Sequence, residues 1–371
     1  MKTSWGRSVR KRTHGLRPAD AAQACALGIL LLAGVAACET VASPEITPAH
    51  NVVDGGSISG QVLTLDGRPV PSALLRAGSL EAVTDAAGFF RISGLPATRR
   101  LAVNVEARGY DATTAIYEVR AGVDLSRPIR VQPLASPVVI SAGQGGAVPI
   151  AGGGQVVIPG SAFAVPPTEQ VTVRATYIDT QDPAQFSTAP GDFTARTFSG
   201  ASVQLESFGM LSVDVRDAQG QPLDLAPGQQ ATIQFPLRGG TGPATRPLWT
   251  FDTQQGIWVE EGSVTVTQTT QDATVSTLAP RRNVDVPFPP VCISVRVLRA
   301  DKVTPRPNQF VSATGISYAG ATQGWTNGQG VVQLQVRSAS QVLIQSGPAQ
   351  QPVTTPPPGT TGCPLVATLA F

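Results

Sequence analysis

The chain has 371 residues, of which 42% are hydrophobic and only 14% charged, with 38 glycines and 32 prolines. Length allows two to four domains. Abundant Val and Thr with frequent turn residues read as an all-β chain. The formal charge of +2 is carried by the N-terminus: residues 1–37 hold six basic residues and one acidic one, which leaves 21 basic against 24 acidic beyond them, a net of −3. That excludes the basic face a nucleic-acid partner needs.

Basic residues Lys2, Arg7, Arg10, Lys11, Arg12 and Arg17 precede an apolar run from Ala21 to Ala37. A positive segment, a short apolar segment and small residues before a cut are the marks of a secretory signal peptide. The run of about 17 residues is at the short limit for a membrane-spanning helix. Its end, Val35-Ala36-Ala37-Cys38, resembles the bacterial lipobox. The resemblance implies cleavage after residue 37 and lipidation of Cys38 with acyl chains such as palmitate, two or more of which hold a protein stably on a membrane. The competing readings are an ordinary signal peptide with Cys38 incidental, and an uncleaved anchor. Glu39, where Asp marks inner-membrane retention, favours the outer membrane. Residues 38–55 read as a flexible tether.

Cysteine usage follows from this. Cys25 leaves with the signal and Cys38 takes lipid, so Cys292 and Cys363 remain. In an oxidising compartment a lone pair is expected to bond; two free thiols are the alternative.

Residues 56–134 alternate apolar and polar positions in about seven short runs, from Ser57–Val62 to Ile129–Val131, with turns roughly every ten residues. This pattern predicts a β-sandwich. Gly60-x-Val62, Gly67-x-Pro69-Val70, Ala73, Thr84-Asp85-x-x-Gly88-x-Phe90, Leu95-Pro96, Val103 and Gly109-Tyr110 resemble the carboxypeptidase regulatory-like domain. The resemblance implies a seven-stranded, transthyretin-like sandwich that is accessory and non-catalytic. Asp85 is expected to close its own turn through its carboxylate, against a reading as calcium ligand or catalytic acid.

Residues 135–286 form a second β-rich region. The glycine-rich stretch 143–154 has no lysine near it and no helix after it, which excludes a phosphate-cradling loop and leaves a loop between strands. Residues 182–193 form a polar excursion. Pro247–Asp252 and Ile257–Glu260 read as a hairpin with facing tryptophans, Trp249 and Trp258. Gly154-x-Val156-x-Ile158-Pro159, Tyr177-Ile178-Asp179, Gly191-Asp192-Phe193, Pro247-Leu248-Trp249 and Gly256-x-Trp258 resemble the extracellular part of cartilage intermediate layer protein relatives. That implies a β-rich interaction region with no known chemistry.

Pro287–Pro290 reads as a rigid joint. Residues 287–371 read as a degenerate second copy of the regulatory-like sandwich, because Thr326-Asn327-x-x-Gly330-Val331 echoes Thr84-Asp85-x-x-Gly88-Phe89.

Only His14 and His50 occur, which removes a histidine triad or a His-metal site from everything downstream. Of the acidic pairs, Glu260 and Glu261 point to opposite faces of a strand, and Asp179 with Asp182 falls in a loop. No catalytic residue, metal or cofactor is therefore expected. The functional expectation is a membrane-anchored, extracytoplasmic, non-catalytic interaction or structural protein whose partner is an envelope protein or glycan. The alternative is a carbohydrate-binding surface protein, with Trp249 and Trp258 as stacking platforms. The competing role for that pair is core packing.

Overall fold

A computed structural model describes residues 55–238 and 244–371. Cys38, the signal segment and most of the tether lie outside the described residues. The described residues form one compact unit, and it is nearly all β.

The first region holds eight strands: β1 (Gly56–Leu63), β2 (Leu74–Ala77), β3 (Leu80–Val83), β4 (Phe89–Leu95), β5 (Thr98–Glu106), β6 (Thr113–Val119), β7 (Asp124–Ser126) and β8 (Ile129–Arg130). They make two sheets, ordered β4-β1-β7 with β8 also on β1, and β3-β2-β5-β6. Alternation along the strands sends Ile58, Val62, Leu75, Val103 and Val105 into the space between the sheets. Each such side chain contributes about 1.5–3 kcal/mol of burial. The turn before β4 closes as the sequence predicts. Asp85 Oδ1 accepts from the amides of Ala87 (2.9 Å) and Phe89 (2.8 Å). Gly88 has φ +76°, and a Cβ there would sit 2.7 Å from the carbonyl oxygen of Val62, so both conformation and space require glycine.

The middle region contains β9 (Val138–Ser141), β10 (Gly145–Ile150), β11 (Gly154–Pro159), β12 (Gln170–Ile178), α1 (Pro183–Phe186), β13 (Thr194–Arg196), β14 (Ser202–Arg216), β15 (Ala231–Pro236), β16 (Thr245–Asp252), β17 (Ile257–Val266), β18 (Thr270–Val275) and β19 (Arg282–Phe288). Its strands run in one continuous sheet, β12-β9-β10-β11-β15-β18-β17-β13-β14-β19-β16, which returns on itself through a β12–β14 pairing. Closure removes free edges. The sheet encloses a large core around Val156, Val173, Ile233 and Phe235. A smaller one lies around Trp249, Phe251 and Trp258.

Two details differ from the sequence reading. The glycine-rich stretch is the hairpin β10–β11, not a loop, because buried Val148, Ile150, Val156 and Ile158 alternate through it. The polar excursion contains a one-turn helix. Asp182 caps it by accepting from the Ala184 amide (2.9 Å), and Pro183 opens it, a start signal available in the sequence.

The third region holds β20 (Pro290–Leu298), β21 (Phe310–Gly315), β22 (Ala321–Trp325), β23 (Val331–Arg337), β24 (Gln341–Ser346), β25 (Ala349–Thr354) and β26 (Leu365–Ala370). Its sheets, β23-β20-β26 and β22-β21-β24-β25, repeat the strand order of the first region. The turn repeats too. Asn327 Oδ1 accepts from the Gln329 and Val331 amides (both 3.0 Å), and Gly330 has φ +70°. The expected joint at 287–290 is strand: Pro287 pairs with Leu205 in the β14–β19 ladder, and only residue 289 separates β19 from β20.

Candidate interaction site at the module junctions

The three regions are clamped by long polar side chains leaving strand ends. Between the first and middle regions, Arg100 of β5 forms a two-pronged ion pair with Asp192 (2.6 and 3.0 Å) and also donates to the carbonyl of Gly256 (2.5 Å). Arg281 pairs with Asp111 at 2.5 Å, both nearly inaccessible. Burial pushes the Asp111 carboxyl upward, and Arg281 opposes this only in part. Gly256 fits flush against the first region; a Cβ there would lie 2.4 Å from Ile116 Cδ1.

Between the first and third regions the contact is aromatic and cationic. Arg120 donates to Asn308 Oδ1 (2.8 Å), the Thr326 carbonyl (2.8 Å) and the Trp325 carbonyl (3.1 Å). Arg127 donates to Gln323 Oε1 at 2.6 Å. Its guanidinium lies 4.8 Å from the Phe310 ring centre and 5.7 Å from that of Tyr117, a cation–π arrangement. Trp325 belongs to β22 but is packed in the core of the first region. It is 5% exposed and stacks on Tyr117 with centroids 5.7 Å apart.

Between the middle and third regions, the Ser207 amide donates to the Ala319 carbonyl (2.7 Å). Arg337 pairs with Glu206 (2.7 Å), and Phe288 meets Tyr318 edge-on at 5.5 Å. Behind this contact Asp285 is fully buried. Burial raises its carboxyl well above the ordinary range; Oδ2 accepts from Asn283 Nδ2, while buried Oδ1 has no hydrogen-bond partner. Two clefts follow the junctions. One of about 490 Å³ lies among Arg100, Glu118, Asp192 and Trp325. The other, about 520 Å³, is lined by Phe186, Phe208, Arg238, Ile316 and Tyr318.

The residues singled out in the sequence fall as follows. Cys292 and Cys363 are joined, with Cα atoms 4.6 Å apart. Cys38 lies outside the described residues. Trp249 and Trp258 are both 0% exposed, which corrects their assignment as sugar-stacking platforms: neither indole offers a face to solvent. Nor do they face each other. A bulge after Leu248 sets Trp249 opposite Glu260 and Phe251 opposite Trp258, and Trp249 Nε1 donates to the Asp285 carbonyl (2.9 Å). The acidic pairs are occupied locally. Glu260 accepts from the Phe198 amide, Glu261 holds Arg282, Asp179 holds Arg238, and Asp182 caps α1. Among the described residues no cluster of three or more metal-ligating side chains occurs.

The arginines at the junctions and Trp325 were not foreseen. The available signal was position: Trp325 immediately precedes the Thr-Asn turn, where the first region has Val83.

The chain is 29% identical over 224 residues to cartilage intermediate layer protein 2 of Mus musculus, and 28% identical over 225 residues to that of Homo sapiens. Each alignment covers 56% of this chain and 19% of the relative, so the chain spans about a fifth of the length of these relatives. Among solved structures, the major pilin subunit BcpA of Bacillus cereus superposes over 85% of this chain and 98% of its own, at 9% identity and a TM-score of 0.19, a level that carries no argument. Residues 57–132 match the family model of the carboxypeptidase regulatory-like domain, and the first region is a domain of that kind set in a longer all-β chain.

Proposed function

We propose that this chain is a lipid-anchored, non-catalytic interaction or structural protein of the bacterial envelope, held through Cys38 on the outer membrane. The observation that carries the reading is the way charged and aromatic side chains are used. Arg100, Asp192, Arg281, Asp111, Arg120 and Trp325 tie three β regions to one another. Such a unit holds surfaces at fixed spacing and has its polar inventory committed to shape. The Cys292–Cys363 bond supports an oxidising, extracytoplasmic setting. The third region, with the strand order and Thr-Asn turn of the first, reads as a second regulatory-like module.

The test is labelling of cells with radioactive palmitate, with fractionation on a density gradient. Wild type should carry label and sediment with outer membrane. Globomycin should block maturation, and Cys38→Ala should abolish label and release the protein. Unlabelled wild type, or a Cys38→Ala variant still on the membrane, overturns the anchor.

A further inference from the structure

The first and third regions share strand order, turn hydrogen bonds and strand registers, apart from a one-residue bulge where β26 pairs with β20. The Ala73 amide donates to Thr84 Oγ1 (2.8 Å), which donates to the Val70 carbonyl (2.7 Å). The Gln309 amide donates to Thr326 Oγ1 (2.9 Å), which donates to the Arg306 carbonyl (2.7 Å). Leu74 pairs with Val83 across β2–β3, as Phe310 pairs with Trp325 across β21–β22. The Asp85 amide donates to the Phe89 carbonyl, as Asn327 does to Val331. Leu74, Val83 and Phe89 therefore occupy the positions of Phe310, Trp325 and Val331.

In the third region this ridge is docked: Phe310 and Trp325 sit on the flank of the first region made by Tyr117, Arg120 and Arg127. In the first region Leu74 is half-buried and the rest of the ridge is bare. Val83 is 61% exposed and Phe89 is 55% exposed.

The receiving flank repeats as well. β5 and β6 pair Leu101 with Tyr117, and β24 and β25 pair Val342 with Val353. Stepping through the registers places Val353 at the position of Tyr117. Ser59 pairs with Ser126 as Ser294 pairs with Leu365, which puts Leu365 and Val366 where the first region has Ser126 and Arg127. Leu365 is 50% exposed. Each chain thus carries one joined ridge-and-flank contact and, elsewhere on the same two modules, an apolar ridge exposed at Val83 and Phe89 and an apolar flank exposed at Leu365, with Val353 and Val366 half-buried beside it.

We propose that the chain self-associates head to tail, the Leu74–Val83–Phe89 ridge of one copy seating on the Val353–Leu365 flank of another. The contact uses between copies the strand positions that already join the third module to the first within a copy, with the aliphatic Val353 and Val366 where that contact has Tyr117 and Arg127. Because ridge and flank are different surfaces, the contact is heterologous: it leaves a free ridge and a free flank at the ends of every open assembly, and builds chains, or rings where the rotation closes, and not twofold dimers. The proposal rests on the reading of this protein as a non-catalytic interaction protein and names its partner as a second copy.

The test is sedimentation velocity of the full chain in detergent, over about a hundredfold range of concentration. Wild type should shift with concentration to dimers and longer species. A ridge variant, Val83→Glu with Phe89→Glu, and a flank variant, Leu365→Glu, should each be monomeric with unchanged melting temperature, since all three positions are exposed. Mixed one to one, the two variants should form a dimer and stop there, because only one ridge and one flank remain intact. A photoactivatable residue at position 83 in otherwise wild-type protein should crosslink to peptides within 349–366 of a second copy, a readout independent of variant folding. Wild type that stays monomeric overturns the proposal, as do association that survives either variant, mixed variants that do not pair, and crosslinks that map elsewhere. A monomeric result leaves palmitate labelling and fractionation untouched, so the two readings fail separately.

Discussion

Replacing Trp325 by alanine removes a side chain that belongs to one module and is buried in the core of another. A buried tryptophan covers roughly 200 Å², which at ~25 cal/mol per Å² amounts to about 5 kcal/mol. Its Nε1–H is buried without a hydrogen-bond partner, and removing an unsatisfied donor returns about 1–2 kcal/mol. The expected net loss is about 3–4 kcal/mol, within the range for Trp→Ala in cores. The location of the loss is the sharper expectation. Hydrogen exchange followed by mass spectrometry should show protection falling in β6 and β22, the two strands that Trp325 bridges, while β12 in the middle region keeps its protection. Trp258→Ala serves as the control. That residue is equally buried, but its cluster draws on the middle region and on Ala319 and Ala321 of the third, with no residue of the first, so protection should fall in the middle region and not in β6. A Trp325→Ala variant that loses less than about 1 kcal/mol in urea unfolding, or that leaves exchange in β6 unchanged, would refute the claim that this indole couples the modules.

Other consequences follow from single residues. Asp285 has a folded-state pKa raised by burial, so its favourable contribution is complete below the unfolded carboxylate value and is lost as pH rises through the folded one. Stability should fall with increasing pH by up to about 1.4 kcal/mol per unit across that window, and Asp285→Asn should flatten the slope in pH-resolved thermal melts. Glu261 behaves oppositely. Burial raises its pKa, but bonds from Arg282 and Thr250 outweigh this and leave it lowered, so its contribution is lost as pH falls through the folded value. Glu261→Gln strands the buried Arg282 guanidinium and should cost about 3 kcal/mol in chemical denaturation. Replacing Cys292 and Cys363 by serine opens a loop of sequence separation 71. Stability of the third region should drop by about 4 kcal/mol, read as a lower melting temperature that added reductant no longer changes.

Much of the first region was legible in the sequence because its signals are local. Alternation in Ser57–Val62 sets the faces of β1, and the Thr-Asp-x-x-Gly pattern sets a turn in which the bonds accepted by the Asp85 carboxylate all lie within five residues. The same locality made the echo at Thr326–Gly330 visible. The hairpin of residues 145–159 was obscured because glycine signals a loop by itself, while the buried valines and isoleucines that override it show their weight only against β15. The helix at Pro183 was missed although its cap and proline were present, since one turn is too short to produce a hydrophobic period.

By itself, the sequence determined the all-β class, the turn chemistry and the low net charge of the chain beyond its N-terminus, all properties of residue type and near-neighbour spacing. Only the tertiary structure decided what Trp249, Trp258 and Trp325 do. An indole is equally fit for a core, a sugar platform or an interface. The choice depends on which elements of distant sequence cover it: the first two pack with side chains of β12, α1, β13 and β14, and the third crosses into a neighbouring module. The bare ridge at Val83 and Phe89 is informative for the same reason, since its meaning comes from comparison with a copy of itself more than 200 residues away that the fold has covered.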